Sequence, residues 1–248
     1  MTVVGLLHPG EMGSTVGNAL AAAGHSVLWA SEGRSDATRA RAAAFEDAGT
    51  VPELAARSDV VFSIVPPHVA RDIAASVQPF GGIYVDANAV APETARSLGA
   101  PRFVDGGIVG GPPAPRLYLS GAEAAAVAEL FAGSAIEASV VADASALKCA
   151  YAAWTKGSAA LALAAREYAR RTGVEAALLA EWEQLGVRAD ESRVEAKAWR
   201  FVGEMEEIAN AFADEDLPSG FHEAAAEIYR AIGRPTVDGS VNDGGSSA

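Results

Sequence analysis

The stretch from Asp143 to Thr172, DASALKCAYAAWTKGSAALALAAREYARRT, contains no proline and a single glycine, Gly157. It is dense in Ala and Leu, the residues that favour helix most strongly. Read as one helix it spans roughly 40 Å, at about 1.5 Å per residue. That is longer than a typical helix in a globular protein. Before it, short β-branched runs alternate with helical stretches; after it, every periodic segment reads as helix. A helix of this length at such a switch is expected to form a spine between two domains. The expected division is 1–142 for a nucleotide-binding domain and 143–232 for a helical domain that begins with the long helix. Residues 233–248, polar and rich in Gly and Ser, are expected to be a disordered tail.

Within the first part, TVVGLL from Thr2 to Leu7 reads as a buried parallel strand, NALAAAG as the body of a helix, and HSVLWA from His25 to Ala30 as a second strand. Between strand and helix lies HPGEMGSTVG. Strand, glycine turn, helix and strand in this order form the βαβ dinucleotide-binding unit. Gly10 would let backbone approach a pyrophosphate. Gly13 would let the helix pack tightly on the strand, and Gly17 would extend that close-packed face. His8 occupies the place of the first glycine in a G-x-G-x-x-G loop. It is read first as a loop residue that tops the strand, ahead of any catalytic role. His8, Pro9, Gly10, Glu11 and Met12 are the candidate contacts at the helix N-terminus, where free N–H groups favour phosphate.

The end of the second strand selects the nucleotide. An acid there binds a ribose 2′-hydroxyl, whereas arginine and hydroxyls accommodate a 2′-phosphate. From Ser31 to Arg41 the chain reads SEGRSDATRAR. Glu32 is the candidate acid; Arg34, Ser35, Thr38 and Arg39 are the candidate cradle, since a guanidinium fork binds two oxygens at once. The pattern favours NADP over NAD, with Ser31, Arg34 and Ser35 as contacts. The competing reading is ordinary surface charge at the start of the next helix.

Three more strand runs follow: DVVFSIVPP, GGIYVDANAVAPETA and RFVDGGIVGGPP. Each carries polar or glycine residues at its carboxyl end, where ligands sit in an open parallel sheet. Val65, Pro66, Asn88, Gly106 and Gly107 are therefore candidate rim residues, while Asp86 and Asp105 are expected to be local turn-formers. RLYLSG and SAIEASVV extend the sheet on either side of a short helix. The fold class is α/β Rossmann, a doubly wound and mostly parallel sheet, followed by the long interdomain helix and an all-α domain. In that domain Val174–Leu185, Asp190–Phe212 and Phe221–Ile232 read as helices, the last after an LPSG break. Glu204, Glu206 and Glu207 read as a solvated helix face, and Trp154 as core.

The formal net charge is −13 and there is one cysteine, Cys149. Such acidity disfavours nucleic acid and anionic membranes as partners. A lone cysteine excludes an intrachain disulfide and suits a reducing compartment. The first residues lack the features of a signal peptide, and no apolar run reaches membrane-spanning length. A soluble, cytoplasmic protein is expected, with a small-molecule substrate and no metal.

The glycine loop, DANAVAP, DGGIVGG and the helix ALKCAYAAWTKG occur in an order similar to that of the 6-phosphogluconate dehydrogenase and β-hydroxyacid dehydrogenase superfamily, which includes the imine reductases. The run KAWRFVGEMEEIANAF…LPSGFHEAA resembles a little-characterised subgroup with a distinct helical domain. The resemblance implies hydride transfer with NAD(P)H and a homodimer. By position it places Gly33 to Ser35 on an NADP-type strand end, SIVPP on the loop that borders the nicotinamide ribose, Asn88 on a Ser/Thr of a DSST-like loop, and Lys148 on the catalytic lysine. Two positions depart: a substrate-binding Ser falls on Val109, and an Asn one turn after the lysine falls on Ala152. Those departures put a simple hydroxyacid in doubt and leave imine reduction open. A lysine desolvated between domains has a lowered pKa, which suits acid/base work. Lys148 is the first candidate, with Tyr151 and Lys156 to relay the proton or to hold a carboxylate or phosphate. Gly107, Val109 and His222 are candidates on the substrate side, His222 equally as a structural histidine. The alternative is a non-catalytic dinucleotide-binding or sensor protein that has lost the first glycine, the Ser and the Asn.

Overall fold

Nearly continuous apolar runs become the central strands of the computed structural model, which describes residues 1–187, 194 and 197–232. The chain begins β1 (Val3–Leu6), α1 (Glu11–Ala22), β2 (Ser26–Trp29), α2 (Asp36–Arg41), β3 (Glu46–Asp47), α3 (Val51–Arg57) and β4 (Val60–Ser63). It continues α4 (Ala70–Ser76), β5 (Ile83–Asp86), α5 (Pro92–Arg96), β6 (Phe103–Val109), β7 (Arg116–Ser120), α6 (Ala124–Glu129) and β8 (Glu137–Val140). These strands form one eight-stranded sheet in the order β3-β2-β1-β4-β5-β6-β7-β8. The first six are parallel; β7 runs antiparallel to β6, and β8 runs parallel to β7. The order 3-2-1-4-5-6 is that of a doubly wound dinucleotide-binding sheet. The expected Rossmann class is borne out.

All four residues of β4 and of β5 are buried, because helices cover both faces of the sheet. On one face Leu6, Phe62 and Val85 pack with Val16 and Leu20 of α1 and Val127 of α6. On the other, Leu28, Val61 and Tyr84 pack with Leu54 of α3 and Ala74 of α4. The two-residue edge strand β3 and the helix α3 were not foreseen. The start of α3 is fixed by a capping box between Thr50 and Glu53, a local signal of known form.

The long helix is present as α7, Ala144–Arg171, and the Asp143 carboxylate accepts from Ala146 N at its start. Then come α8 (Glu175–Gln184), α9 (Ala198–Asp214) and α10 (Gly220–Ile232). The amino-terminal part of the helix expected over 190–212, and the tail 233–248, lie outside the described residues. The inner face of α7 is made of small residues: Cys149, Ala152, Ala153, Gly157 and Ala160. It packs on Met205 and Ile208 of α9 and on Ala225, Ala226 and Tyr229 of α10. Small side chains bring the helix axes close: a Cβ on Gly157 would lie 2.9 Å from the Phe221 ring. The Tyr229 hydroxyl donates to Lys156 O at 2.6 Å.

Two carboxylates are among the ties that join the helical part to the sheet. The Glu207 carboxylate accepts from Ala91 N at 2.6 Å and from Thr94 Oγ1 at 2.9 Å, at the first turn of α5. Asp105 of β6 accepts from Ser145 N and Ser145 Oγ in the first turn of α7, at 2.8 and 2.6 Å. The expectation of a solvated acidic face on α9 is corrected here. Glu206 is exposed, but Glu207 clasps α5 and Glu204 pairs with Lys156.

Candidate active site

The turn after β1 has the form a dinucleotide loop requires. A Cβ on Gly13 would lie 2.2 Å from His8 O, whereas one on Gly10 would meet nothing within 4 Å. Gly13 is needed for the close seating of α1 on the turn, and Gly10 keeps the approach to the helix open. Gly17 has the packing role expected of it, against the Phe45 ring. Of the loop residues, Glu11 is exposed in the first turn of α1, and Met12 turns its side chain onto the sheet core. Met12 can therefore offer only backbone to a phosphate.

Two arginines that follow β2 reach back to this loop, and a third holds the segment that carries them. Arg34 Nη2 donates to Leu7 O at 3.4 Å, Arg41 Nε to Pro9 O at 3.1 Å, and Arg39 Nη2 to Ser31 O at 2.9 Å. Ser35 caps α2 by accepting from Thr38 N, and Glu32 is exposed. Arg41 was not singled out in the sequence; its spacing of seven from Arg34 is the signal that would have found it. Two buried polar atoms here have no partner, Arg34 Nε and His8 Nδ1. Burial first, and the Arg34 charge second, lower the His8 pKa to about 4, so the ring is neutral at pH 7. Burial also lowers the pKa of Arg34. Buried donors left unmet are costly. The loop and the open approach at Gly10 together fit a dinucleotide.

Toward the middle of the sheet, Asn88 is buried and fully engaged. Its Oδ1 accepts from Val65 N at 2.5 Å, and its Nδ2 donates to Ser63 Oγ at 3.2 Å and to Asp86 Oδ1 at 2.5 Å. Asn88 thus fixes the Val65–Pro66 loop instead of presenting free polar atoms to a ligand. Asp86, expected as a turn-former, is a fully buried strand residue. Burial first, and the charge of Asp105 in addition, push its pKa up to about 7. The unfolded value is near 3.8, so from pH 4 to pH 7 the folded chain keeps a proton that the unfolded chain releases. Stability therefore falls as pH rises through that window, by about 4 kcal/mol at most. An Asp86→Asn variant removes this slope. Thermal unfolding from pH 4 to pH 8 should show it gaining on the wild type as pH rises; parallel curves would refute the assignment.

Strand alternation puts Asp105, Gly107 and Val109 on one face of β6. A Cβ on Gly107 would lie 2.6 Å from Ala144 O and 3.3 Å from Lys148 Cβ. Gly107 is thus a glycine because α7 crosses it there. Val109 is buried. Lys148 is half-buried, and its Nζ donates to Ile108 O at 2.6 Å. Burial lowers its pKa. An ammonium has three donors, and Ile108 O is the one partner of Lys148 among the described residues.

The other candidates on the helices separate. Lys156 turns inward to an ion pair with Glu204, and its Nζ lies 4.8 Å from the Phe201 ring centroid. Burial and the charge of Lys148 push its pKa down, while the paired carboxylate favours the charged form. Lys156 therefore braces the helical domain and is not offered to a substrate. Tyr151 lies on the outward face of α7 and is 39% exposed. His222 is buried between the rings of Phe212 and Phe221, at centroid distances of 4.3 and 5.3 Å. It belongs to the helical core. Among the described residues, no cluster of His, Cys, Asp and Glu could hold a metal ion, and no helix is long and apolar enough to cross a membrane.

A glycine turn of dinucleotide-loop form on a doubly wound sheet, followed by a long helix and a helical region, defines the class: a Rossmann fold joined to an all-α part. The comparisons agree. A family model described as NADP oxidoreductase, coenzyme F420-dependent, matches residues 3–90, and a domain of unknown function, DUF1932, matches residues 169–232. One similar structure is a conserved protein of unknown function described as structurally similar to 3-hydroxyacid dehydrogenases. It is 28% identical, with a TM-score of 0.67, covering 93% of this chain and 96% of that one. The 3-hydroxyisobutyrate dehydrogenase of Mycobacterium tuberculosis, solved with L-serine, is 21% identical with a TM-score of 0.65, covering 94% of each chain. A reductive aminase from Aspergillus terreus, in complex with NADPH and ethyl levulinate, is 18% identical with a TM-score of 0.51, again covering 94% of each. No curated protein matches. The resemblance to the 6-phosphogluconate dehydrogenase and β-hydroxyacid dehydrogenase-like superfamily holds.

Proposed function

We propose that the chain is an NADP-dependent oxidoreductase of the β-hydroxyacid dehydrogenase type. It transfers a hydride to or from a small C=O/CH–OH or C=N substrate held between the sheet rim and α7. The observation that carries the reading is Lys148: a desolvated ammonium at the carboxyl end of β6, with N–H capacity left over. His8, Pro9 and Gly10 with the start of α1 would hold the pyrophosphate. Arg34, Ser35 and Arg41 would hold the 2′-phosphate, and the Val65–Pro66 loop, fixed by Asn88, would border the nicotinamide. The bound nicotinamide supplies or accepts the hydride. In reduction the Lys148 ammonium gives its proton to the substrate oxygen or nitrogen; in oxidation the neutral amine takes the proton back. A hydroxyacid Ser is replaced by buried Val109, which favours a substrate with an apolar group at that point. The functional unit is a homodimer.

The family model's NADP description supports the nucleotide assignment, as does the unmet Nε of Arg34. Fluorescence titration tests it. NADPH should bind at least about 10-fold tighter than NADH, and Arg34→Ala should weaken NADPH by about 10- to 100-fold, the value of a charged hydrogen-bond pair, with NADH unchanged. A preference for NADH overturns the reading.

A further inference from the structure

Helix α5 starts without a cap of its own. Ala91 stands at its N-cap and offers no side-chain acceptor to the first turn, where Ser, Thr, Asp or Asn ordinarily sits. The acceptor comes from 116 positions away, as the Glu207 carboxylate of α9 takes Ala91 N at 2.6 Å and Thr94 Oγ1 at 2.9 Å. A serine or aspartate at position 91 would cap α5 with no help from the helical part. Capping from α9 makes the start of α5 depend on where α9 lies.

Both ends of this contact are tied further. On the sheet side, Val90 is fully buried in a small cluster with Ala70 and Ala95, against which Val65 packs. Asn88, just before it, holds Val65 N. On the helix side, Glu204, one turn before Glu207, pairs with Lys156 of α7, and Met205 and Ile208 pack on the inner face of α7. Cys149, next to Lys148, donates its thiol to Val90 O at 3.6 Å. Burial first, and the Glu207 charge second, push that thiol's pKa up, so the carboxylate lies close to it.

We propose that Glu207 is a positioning residue: by way of Ala91 and Asn88 it sets the Val65–Pro66 loop at a fixed place relative to Lys148. The inference rests on the reading that this loop borders the nicotinamide end of NADP. On that reading α9 helps to seat the nicotinamide half of the nucleotide, whereas the phosphates lie at the β1 turn and Arg34, outside its reach. The two halves of one ligand therefore respond differently to the loss of one carboxylate. A cap that served stability alone would leave both halves bound as before, or loosen both together as the fold is lost.

Calorimetric titration of the full-length chain with two ligands tests this. One is NADPH. The other is 2′-phosphoadenosine 5′-diphosphate, which keeps the pyrophosphate and the 2′-phosphate but lacks the nicotinamide and its ribose. In Glu207→Ala, NADPH should bind about 10-fold more weakly, the scale of a hydrogen bond to a charged group, with the affinity for the fragment unchanged. Glu207→Gln should restore NADPH binding, since its amide oxygen still accepts from Ala91 N and Thr94 Oγ1. Cys149 is the chain's single cysteine and reads the contact directly. Iodoacetamide should label it about 10-fold faster in Glu207→Ala than in Glu207→Gln, as expected of a local opening; both variants lack the charge, so the difference reads the opening alone. Should Glu207→Ala not fold, Thr94→Val removes one donor from the other side and should show a smaller loss for NADPH alone. Equal loss for both ligands, unchanged NADPH binding, or equal labelling of the two Glu207 variants overturns the inference. A wild-type chain that binds neither ligand overturns the NADP reading, and the inference with it.

Discussion

A Lys148→Met variant is expected to titrate with NADPH as the wild-type chain does and to lose about 10²- to 10⁴-fold in turnover, the range for removal of a positioned proton donor. The side chain lies at the end of β6, on Ile108 O, away from the Arg34 side of the sheet, so the nucleotide has no reason to bind differently. Lys148→Arg separates chemistry from positioning. Arginine keeps the charge and can still reach a carbonyl, but it does not give up its proton. If Lys148 only orients the substrate, the arginine variant retains most of the rate. If it transfers the proton, both variants fail. The pH profile follows from the direction of the shift. Burial lowers the Lys148 pKa, and reduction needs the protonated form. The rate of reduction should fall, and that of oxidation rise, as pH passes upward through that value. In Lys148→Met neither limb should remain. A residual profile of unchanged shape in that variant would remove Lys148 from the proton path.

The parts of this molecule legible in the sequence are those whose signal is local. Four-residue apolar strands, the Pro-Pro after β4 and the Ala/Leu run from Asp143 to Thr172 each state their structure within a few residues of themselves. The glycine loop was readable for the same reason, since Gly13 is dictated by the backbone of His8 five positions earlier. The site was legible only where a local motif coincided with it. Glu207 reaches Ala91 across 116 positions, and no periodicity announces such a clasp. Lys156 and Glu204 find each other only once α7 and α9 are packed. Periodicity also shows that a helix has faces without showing which face its own chain covers. Trp154 and Cys149 look equally apolar in the sequence, but α9 and α10 occupy only the Cys149 side. Asp86 ends β5, and Asp105, though inside β6, stands before two glycines, so both look like turn-formers in the sequence. What makes them different is burial by neighbouring strands, a tertiary fact.

Asp105→Ala should be the most destabilising single change in the sheet, at about 3–5 kcal/mol, as for a buried charge partner removed from its donors. Asp105 Oδ2 accepts from Ser120 Oγ at 3.0 Å and from Ser145 N at 2.8 Å, while Oδ1 accepts from Ser145 Oγ at 2.6 Å. Ser120 Oγ in turn accepts from Ala144 N at 2.9 Å. One carboxylate thus joins β6, β7 and the first turn of α7, and alanine leaves buried donors with nothing to replace it. Ser120→Ala takes away one donor and one acceptor but keeps both Ser145 bonds, so it should cost only about 1 kcal/mol. Part of the Asp105→Ala loss is offset, because removing that charge relieves Asp86, whose pKa Asp105 raises. The same anchor sets Lys148, one turn beyond Ser145, over the end of β6. Turnover by the fraction still folded should therefore fall in Asp105→Ala and hold in Ser120→Ala. Urea unfolding together with turnover at saturating NADPH distinguishes the cases. If the two variants lose stability equally, Ser120 and not Asp105 is the node, and Lys148 is held by the Gly107 contact alone.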